Sequence, residues 1–278
     1  MAAIPSLSKI KDWIFSSKKR SYGIGLALLL FLALFSIRGC STPVSFNNSY
    51  TIAQDVRWMG LNLMGKERNL SAFNVDLLAT IAKLENMRIQ LSSIQDDNNA
   101  MLAKLENGEV QGIISTMQPT PINQNAFVFS DPYFLLGPVL IISKGAPVKG
   151  WNEMSRKIVG VQSNSPAILD LEKDPSIQIK LYDNILRAMA DLDDQRIDGI
   201  IFPVVPASIY TKTFYEGRLK IATPPLNNEG LRLVALKNPK GEQLIKSFNQ
   251  ALKTIKADGL YDRLLERWGL MNAEKVEG

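Results

Sequence analysis

The chain has 278 residues, enough for one large or two ordinary domains, and at 46% hydrophobic and 21% charged it is globular rather than disordered. Its formal net charge of +5 sits in residues 1–39, where Lys9, Lys11, Lys18, Lys19, Arg20 and Arg38 face Asp12 alone; the remainder is balanced, so no nucleic-acid partner is expected. Histidine is absent and Cys40 is the single cysteine, which excludes an intrachain disulfide, catalytic triads, Cys–His dyads and His-containing metal sites; no cofactor is expected.

In chain order, the first element is "KKRSYGIGLALLLFLALFSIRGC". Its uncharged run Ser21–Ile37 is 17 residues, at the lower limit for spanning a bilayer and close to a signal-peptide apolar region. Basic residues before it should stay cytoplasmic and send the rest outward. Ile37-Arg38-Gly39-Cys40 resembles the bacterial lipoprotein box, which implies lipidation of Cys40, although Arg38 departs from the usual small residue. Residues 1–39 are thus a signal peptide or an uncleaved signal anchor, with a buried core helix as a third reading. Residues 40–49, polar and small, form a tether.

From Tyr50 strands alternate with helices. "YTIAQDV" reads as a strand, and Phe73, Leu77, Ile81 and Leu84 make one helical face starting near Phe73. "MRIQLSSI" reads as a half-covered strand, a helix over roughly 97–107 ends at Asn107-Gly108, and the apolar strand "GIIS" follows. The second half repeats the plan. Ile177, Ile179 and Leu181 alternate as a strand, Ile185, Met189 and Leu192 stripe a helix, and "QRIDGIIF" echoes "GEVQGIIS". Strand–helix–strand units cross over into parallel sheets, so two α/β lobes are expected, each a mainly parallel sheet flanked by helices. The strand "LRLVALK", the helix of Leu244, Phe248, Leu252 and Ile255, and the helix of Leu260, Leu264 and Trp268 should return to the first lobe. The lobes are then 50–144 with 229–270, and 145–228, with a tail over 271–278 and crossings near 143–148 and 224–231. Paired crossings make a hinge.

Four stretches, "AFNVDLLATIAK", "GEVQGIISTMQPTP" with "FVFSDPYF", "KIVGVQSNSPA" and "RIDGIIF", are similar in order and spacing to bacterial extracytoplasmic solute-binding proteins of the polar amino acid type. The resemblance covers roughly residues 50–270. It implies a two-lobed, type II periplasmic-binding-protein-like fold and a small-molecule ligand in the interlobe cleft. It also implies an ABC permease as partner, and a place in the periplasm or cell envelope, membrane-tethered by the N-terminus. The same resemblance puts a carboxylate-gripping arginine two residues after the Thr-Pro pair, but Asn123 stands there after Thr120-Pro121-Ile122. The ammonium-binding aspartate falls, counting from Asp198, on Pro203, and the assisting threonine falls on Pro166. Losing a partner of a buried charge pair costs about 2–5 kcal/mol. The ligand expected is therefore an amino acid derivative or short peptide rather than an ordinary free amino acid held in the ordinary way.

Ligands of open parallel sheets lie beyond the carboxyl ends of the strands. That places the candidate ligand-binding residues at Asp55, Arg57, Trp58 and Leu61, at Ser115, Thr116, Met117, Gln118 and Asn123, at Gln162, Asn164 and Ser165, and at Phe202 and Pro203. Trp58 is a candidate ligand wall or a partly buried core residue. Asp55 and Arg57 are a solvated pair or a displaced charge contact. Ser115, Thr116 and Gln118 could instead form the turn at Pro119, and Asn164 and Ser165 read equally as helix caps. "GLNLMGKE" nearly fits a phosphate loop, but Glu67 replaces the magnesium-holding hydroxyl and a hairpin loop accounts for it. Two other classes stand beside the importer reading. One is a sensing or interaction module on the same fold. The other is a dehydratase-like enzyme, whose acid–base work would fall to Asp55, Glu229 or a lysine.

Overall fold

The computed structural model describes residues 48–54, 63–93, 98–147 and 150–275. The signal segment, Cys40 and most of the tether therefore lie outside the described residues. Among the described residues no helix is long and apolar enough to cross a membrane.

The chain opens with β1 (Ser49–Gln54), α1 (Glu67–Leu84), β2 (Arg88–Ser93), α2 (Asn98–Glu106), β3 (Gly112–Ser115), α3 (Asn123–Ala126), β4 (Phe127–Phe129) and β5 (Phe134–Leu135). Helix α1 buries Leu70, Phe73, Leu77, Leu78 and Ile81 along one stripe. It starts at Glu67, more than a turn before the expected Phe73, and Leu84 is 50% exposed because the helix ends there. Helix α2 stops at Asn107-Gly108, where Gly108 takes φ +75°, the left-handed conformation that a helix end asks of glycine.

There follow β6 (Pro138–Ser143), β7 (Ile158–Gln162), α4 (Ile168–Leu171), β8 (Gln178–Tyr182), α5 (Ile185–Asp193), β9 (Gly199–Pro203), α6 (Val204–Ile209) and β10 (Leu219–Ile221). The chain ends with β11 (Gly230–Leu236), α7 (Pro239–Ala257) and α8 (Leu260–Arg267). Pro239 opens α7 in the first turn, where a missing N–H costs nothing, behind its cap Asn238, whose Oδ1 accepts the Gly241 amide at 2.9 Å.

These strands form two mixed sheets. The first is six-stranded, in the order β2-β1-β3-β11-β4 with β5 also on β11; the second is five-stranded, in the order β10-β6-β9-β7-β8. The β1–β2, β1–β3, β7–β8 and β7–β9 pairs are parallel. The expectation of mainly parallel sheets is corrected by β11 and β6. Each enters its sheet straight from a crossing and therefore runs antiparallel to its neighbours.

Strand β6 pairs with β9 and β10, so the first crossing falls at Leu136–Gly137 rather than near 143–148. The second crossing lies between β10 and β11 and includes Asn227–Glu229. The two crossings are bonded to each other, the Leu136 and Gly137 amides both donating to the Glu229 carbonyl at 2.9 and 3.2 Å. Buried apolar residues continue from one lobe to the other: the cluster holding Phe73, Leu231 and Phe248 also takes in Ile141, Phe202 and Leu219. The start of the expected tail is part of this body, with Ala273 buried and Asn272 and Lys275 donating to Asp262 at 2.7 and 2.6 Å.

Candidate functional site

Asp55, Arg57, Trp58 and Leu61 lie outside the described residues. The other candidates gather in two groups, one in each lobe. In the first lobe, Ser115 ends β3 and its Oγ accepts the Met117 amide at 3.0 Å, turning the chain out of the sheet. Thr116 is exposed, while Met117 packs with the apolar cluster around Ile113 and Val234. Asn123 closes the loop rather than standing clear of it. Its Nδ2 donates to the Gln118 carbonyl at 2.8 Å, and its backbone amide donates to Thr120 Oγ1 at 3.3 Å. Gln118 Nε2 reaches the Thr116 carbonyl at a long 3.4 Å.

In the second lobe, Gln162 and Pro203 end neighbouring parallel strands, β7 and β9. The Ser165 amide donates to the Gln162 carbonyl at 2.9 Å, and Ser165 Oγ accepts from the Ala167 amide at 3.3 Å; these are turn bonds before α4, whose N-cap is Ala167 and carries no side-chain cap. Asn164 is exposed. Phe202 is buried against the Tyr210 ring, centroids 6.2 Å apart, whereas Pro203 is exposed and faces Pro138 on the β6–β9 ladder.

The sequence reading missed Arg232. It lies in β11 opposite Ser115 across the ladder, only 5% exposed. Nη2 donates to the Asn228 carbonyl at 2.5 Å and Nη1 to the Ser130 carbonyl at 3.4 Å, tying the second crossing to the turn after β4. Nε finds no partner among the described residues. Burial pushes the guanidinium below its ordinary pKa, and Asp131 partly offsets that. An arginine flanked by leucines in "LRLVALK" was the available signal, since a charge inside a buried strand needs a reason.

Two cavities adjoin these groups. One of about 630 Å³ runs along β4 past Pro119, Gln124, Asp131 and Arg232. The other, about 250 Å³, lies in the second lobe beside Trp151, Ala167, Ile201 and Leu226. Among the described residues no group of three acidic or thiol side chains could hold a metal ion. What the arrangement offers is hydroxyl, amide and backbone hydrogen bonding at strand ends, next to a two-strand crossing.

Comparison with known proteins agrees with this fold. The model of the family described as bacterial extracellular solute-binding proteins, family 3, matches residues 50–271. The ABC transporter glutamine-binding protein GlnH of Bacillus subtilis (strain 168) is 23% identical over 224 residues, covering 79% of this chain and 80% of the relative. The ABC transporter arginine-binding protein 1 of Escherichia coli (strain K12) is 24% identical over 209 residues, covering 74% and 84%. The crystal structure of the L-cystine solute receptor of Neisseria gonorrhoeae, in the unliganded open conformation, superposes with a TM-score of 0.60 at 17% identity, covering 80% of this chain and 92% of that one. At that identity the likeness speaks to the fold alone, which is the type II periplasmic-binding-protein fold. With a family match that spans most of the chain and two mixed sheets joined by paired crossings, this protein belongs to the bacterial extracellular solute-binding proteins of family 3.

Proposed function

We propose that this protein is the substrate-binding component of an ABC-type importer, capturing an amino-acid-like or short-peptide solute between its lobes by hinge closure. One observation carries the reading: the chain passes between its two sheets at paired, mutually bonded crossings, with candidate binding groups at the strand ends of each lobe. The relatives' glutamine and arginine binding supports an amino-acid-like solute. The N-terminal segment would tether the protein outside the cytoplasm, through Cys40 or as an uncleaved anchor.

Within the site, Thr116, Asn164 and Pro203, which are exposed, and the half-buried Gln118 are the described candidates we assign to meet the solute; Asp55, Arg57 and Trp58, candidates from the sequence, lie outside the described residues. Phe202 serves packing. Asn123 shapes the loop with its amide donor, so the described loop from Thr116 to Asn123 presents neutral groups. A solute whose ammonium and carboxylate do not sit together on one carbon, such as a blocked amino acid or short peptide, suits that lining. The description of the family is of binding, not turnover, and no catalytic step is assigned.

A thermal-shift screen across free amino acids, blocked amino acids and dipeptides tests this. A solute at 100 times its Kd adds about 2.7 kcal/mol, which is roughly 5–10 °C in Tm for a domain of this size. At least one compound in the panel is expected to produce that shift. A flat panel, together with an empty protein by native mass spectrometry, sinks the reading.

A further inference from the structure

We propose that the second-lobe cavity beside Trp151 is a subsite for one apolar group of the solute, a phenyl ring or a branched aliphatic chain. This rests on the binding reading above and adds a preference that neither the family nor the strand-end groups supply.

Size is the first argument. At about 250 Å³ the cavity falls short of the ~300 Å³ where whole-ligand pockets begin. It exceeds the roughly 150 Å³ void that takes a benzene molecule. It therefore suits a single side chain and not a whole solute.

Chemistry is the second. The walls are apolar, with Trp151, Ala167, Leu171, Ile201 and Leu226 among them. The polar groups at its edge are already satisfied within the protein. Asp170 is paired with Lys173 Nζ at 2.6 Å. Asn227 Oδ1 accepts the Glu229 amide at 3.1 Å, and its Nδ2 donates to Glu229 Oε1 at 3.2 Å. An occupant therefore needs no hydrogen bond here. Leu226 is nevertheless 38% exposed and Trp151 half-buried, so apolar surface is left facing solvent.

Position is the third. Ala167 lies two residues after Ser165 of the candidate loop, and Pro138, also lining the cavity, is the ladder partner of the candidate Pro203. Asn227 belongs to the second crossing. The cavity thus lies next to the second-lobe binding groups and reaches the hinge, and a side chain seated in it would touch Pro138, Ala167 and Asn227.

The test is calorimetric titration of the detergent-solubilised full-length protein with free Ala, Leu and Phe and with Gly-Ala, Gly-Leu and Gly-Phe. Burying one such side chain is worth about 10- to 100-fold in affinity. The Leu or Phe member of at least one series is expected to bind tighter than its Ala counterpart by that factor. Leu226→Trp, which fills the cavity from its exposed edge, is expected to reduce the ratio below about threefold. Should that variant not fold, Trp151→Ala removes a wall and is expected to lower the ratio likewise. Binding with no preference in the native protein, or a preference that survives the substitution, overturns the subsite and leaves the importer reading standing. Binding of none of the six compounds overturns the subsite too and counts against that reading as well.

Discussion

Asp191 is a densely bonded side chain among the described residues of the second lobe. It accepts from the Tyr182 hydroxyl at 2.7 Å, Lys180 Nζ at 2.9 Å and Arg196 Nε at 2.8 Å, with its own side chain 9% exposed. The Tyr182 and Lys180 hydrogen bonds, with Arg196 beside them, hold the carboxyl well below the usual carboxylate range. The unfolded chain, whose aspartates titrate near about 3.9, therefore takes up this proton first as pH falls. The stabilisation is full above pH ~5 and is lost progressively below that. Asp191→Asn is expected to lower unfolding free energy at pH 7 by about 2 kcal/mol, with the gap to the native protein narrowing at pH 3. Urea titrations at the two pH values check both statements. At the same scale, Arg232 and Asn123 mark what one-dimensional reading could and could not reach. The composition of "TMQPTPINQN" identified a polar loop, but not that Asn123 would use its donor on Gln118 within the loop. Such pairings depend on how the chain turns, which residue order leaves open.

Among the elements, periodicity carried the helices well. Phe73, Leu77 and Ile81 are buried together on α1, and Leu244, Phe248, Leu252 and Ile255 on α7. It failed at an edge: on β8, Leu181 is 55% exposed while Tyr182 is buried, since a strand with a neighbour on one side has less to bury against and Tyr182 is drawn in by Asp191. The first crossing was hidden for another reason. "FLLGPVLIIS" reads as one apolar run, yet it serves two sheets, β5 in one and β6 in the other. Gly137-Pro138 was the legible break, since proline favours the first residue of a strand. Helix α7 yields a direct test of element stability. Removing the Asn238 cap in Asn238→Ala leaves the Gly241 amide without its 2.9 Å acceptor and is expected to cost about 1 kcal/mol, read as a lowered denaturation midpoint at unchanged slope.

For the whole molecule, the two-lobed plan was legible because the strand–helix–strand pattern occurs twice, whereas strand direction was not, because antiparallel insertion of β6 and β11 follows from where the chain crosses. The lobes meet away from the strand-end groups as well. A cavity of about 480 Å³ is lined by Thr211, Lys212 and Lys220 of the second lobe and by Glu266, Met271 and Asn272 of the first. At the first crossing Gly137 is packed so closely that an added Cβ would stand 2.4 Å from Asn227 Oδ1 and 2.9 Å from its carbonyl oxygen. Gly137→Ala must push the two connections apart. It is expected to destabilise the fold by about 1–3 kcal/mol, measured by urea unfolding.

The shared acceptor at Glu229 has a mechanical corollary. Because one oxygen receives both Leu136 and Gly137, the two connecting ribbons are spliced side by side. Neither can slide lengthwise past its fellow without breaking that fork. Rotation about an axis through the splice is the one relative movement of the two ribbons that would leave it whole.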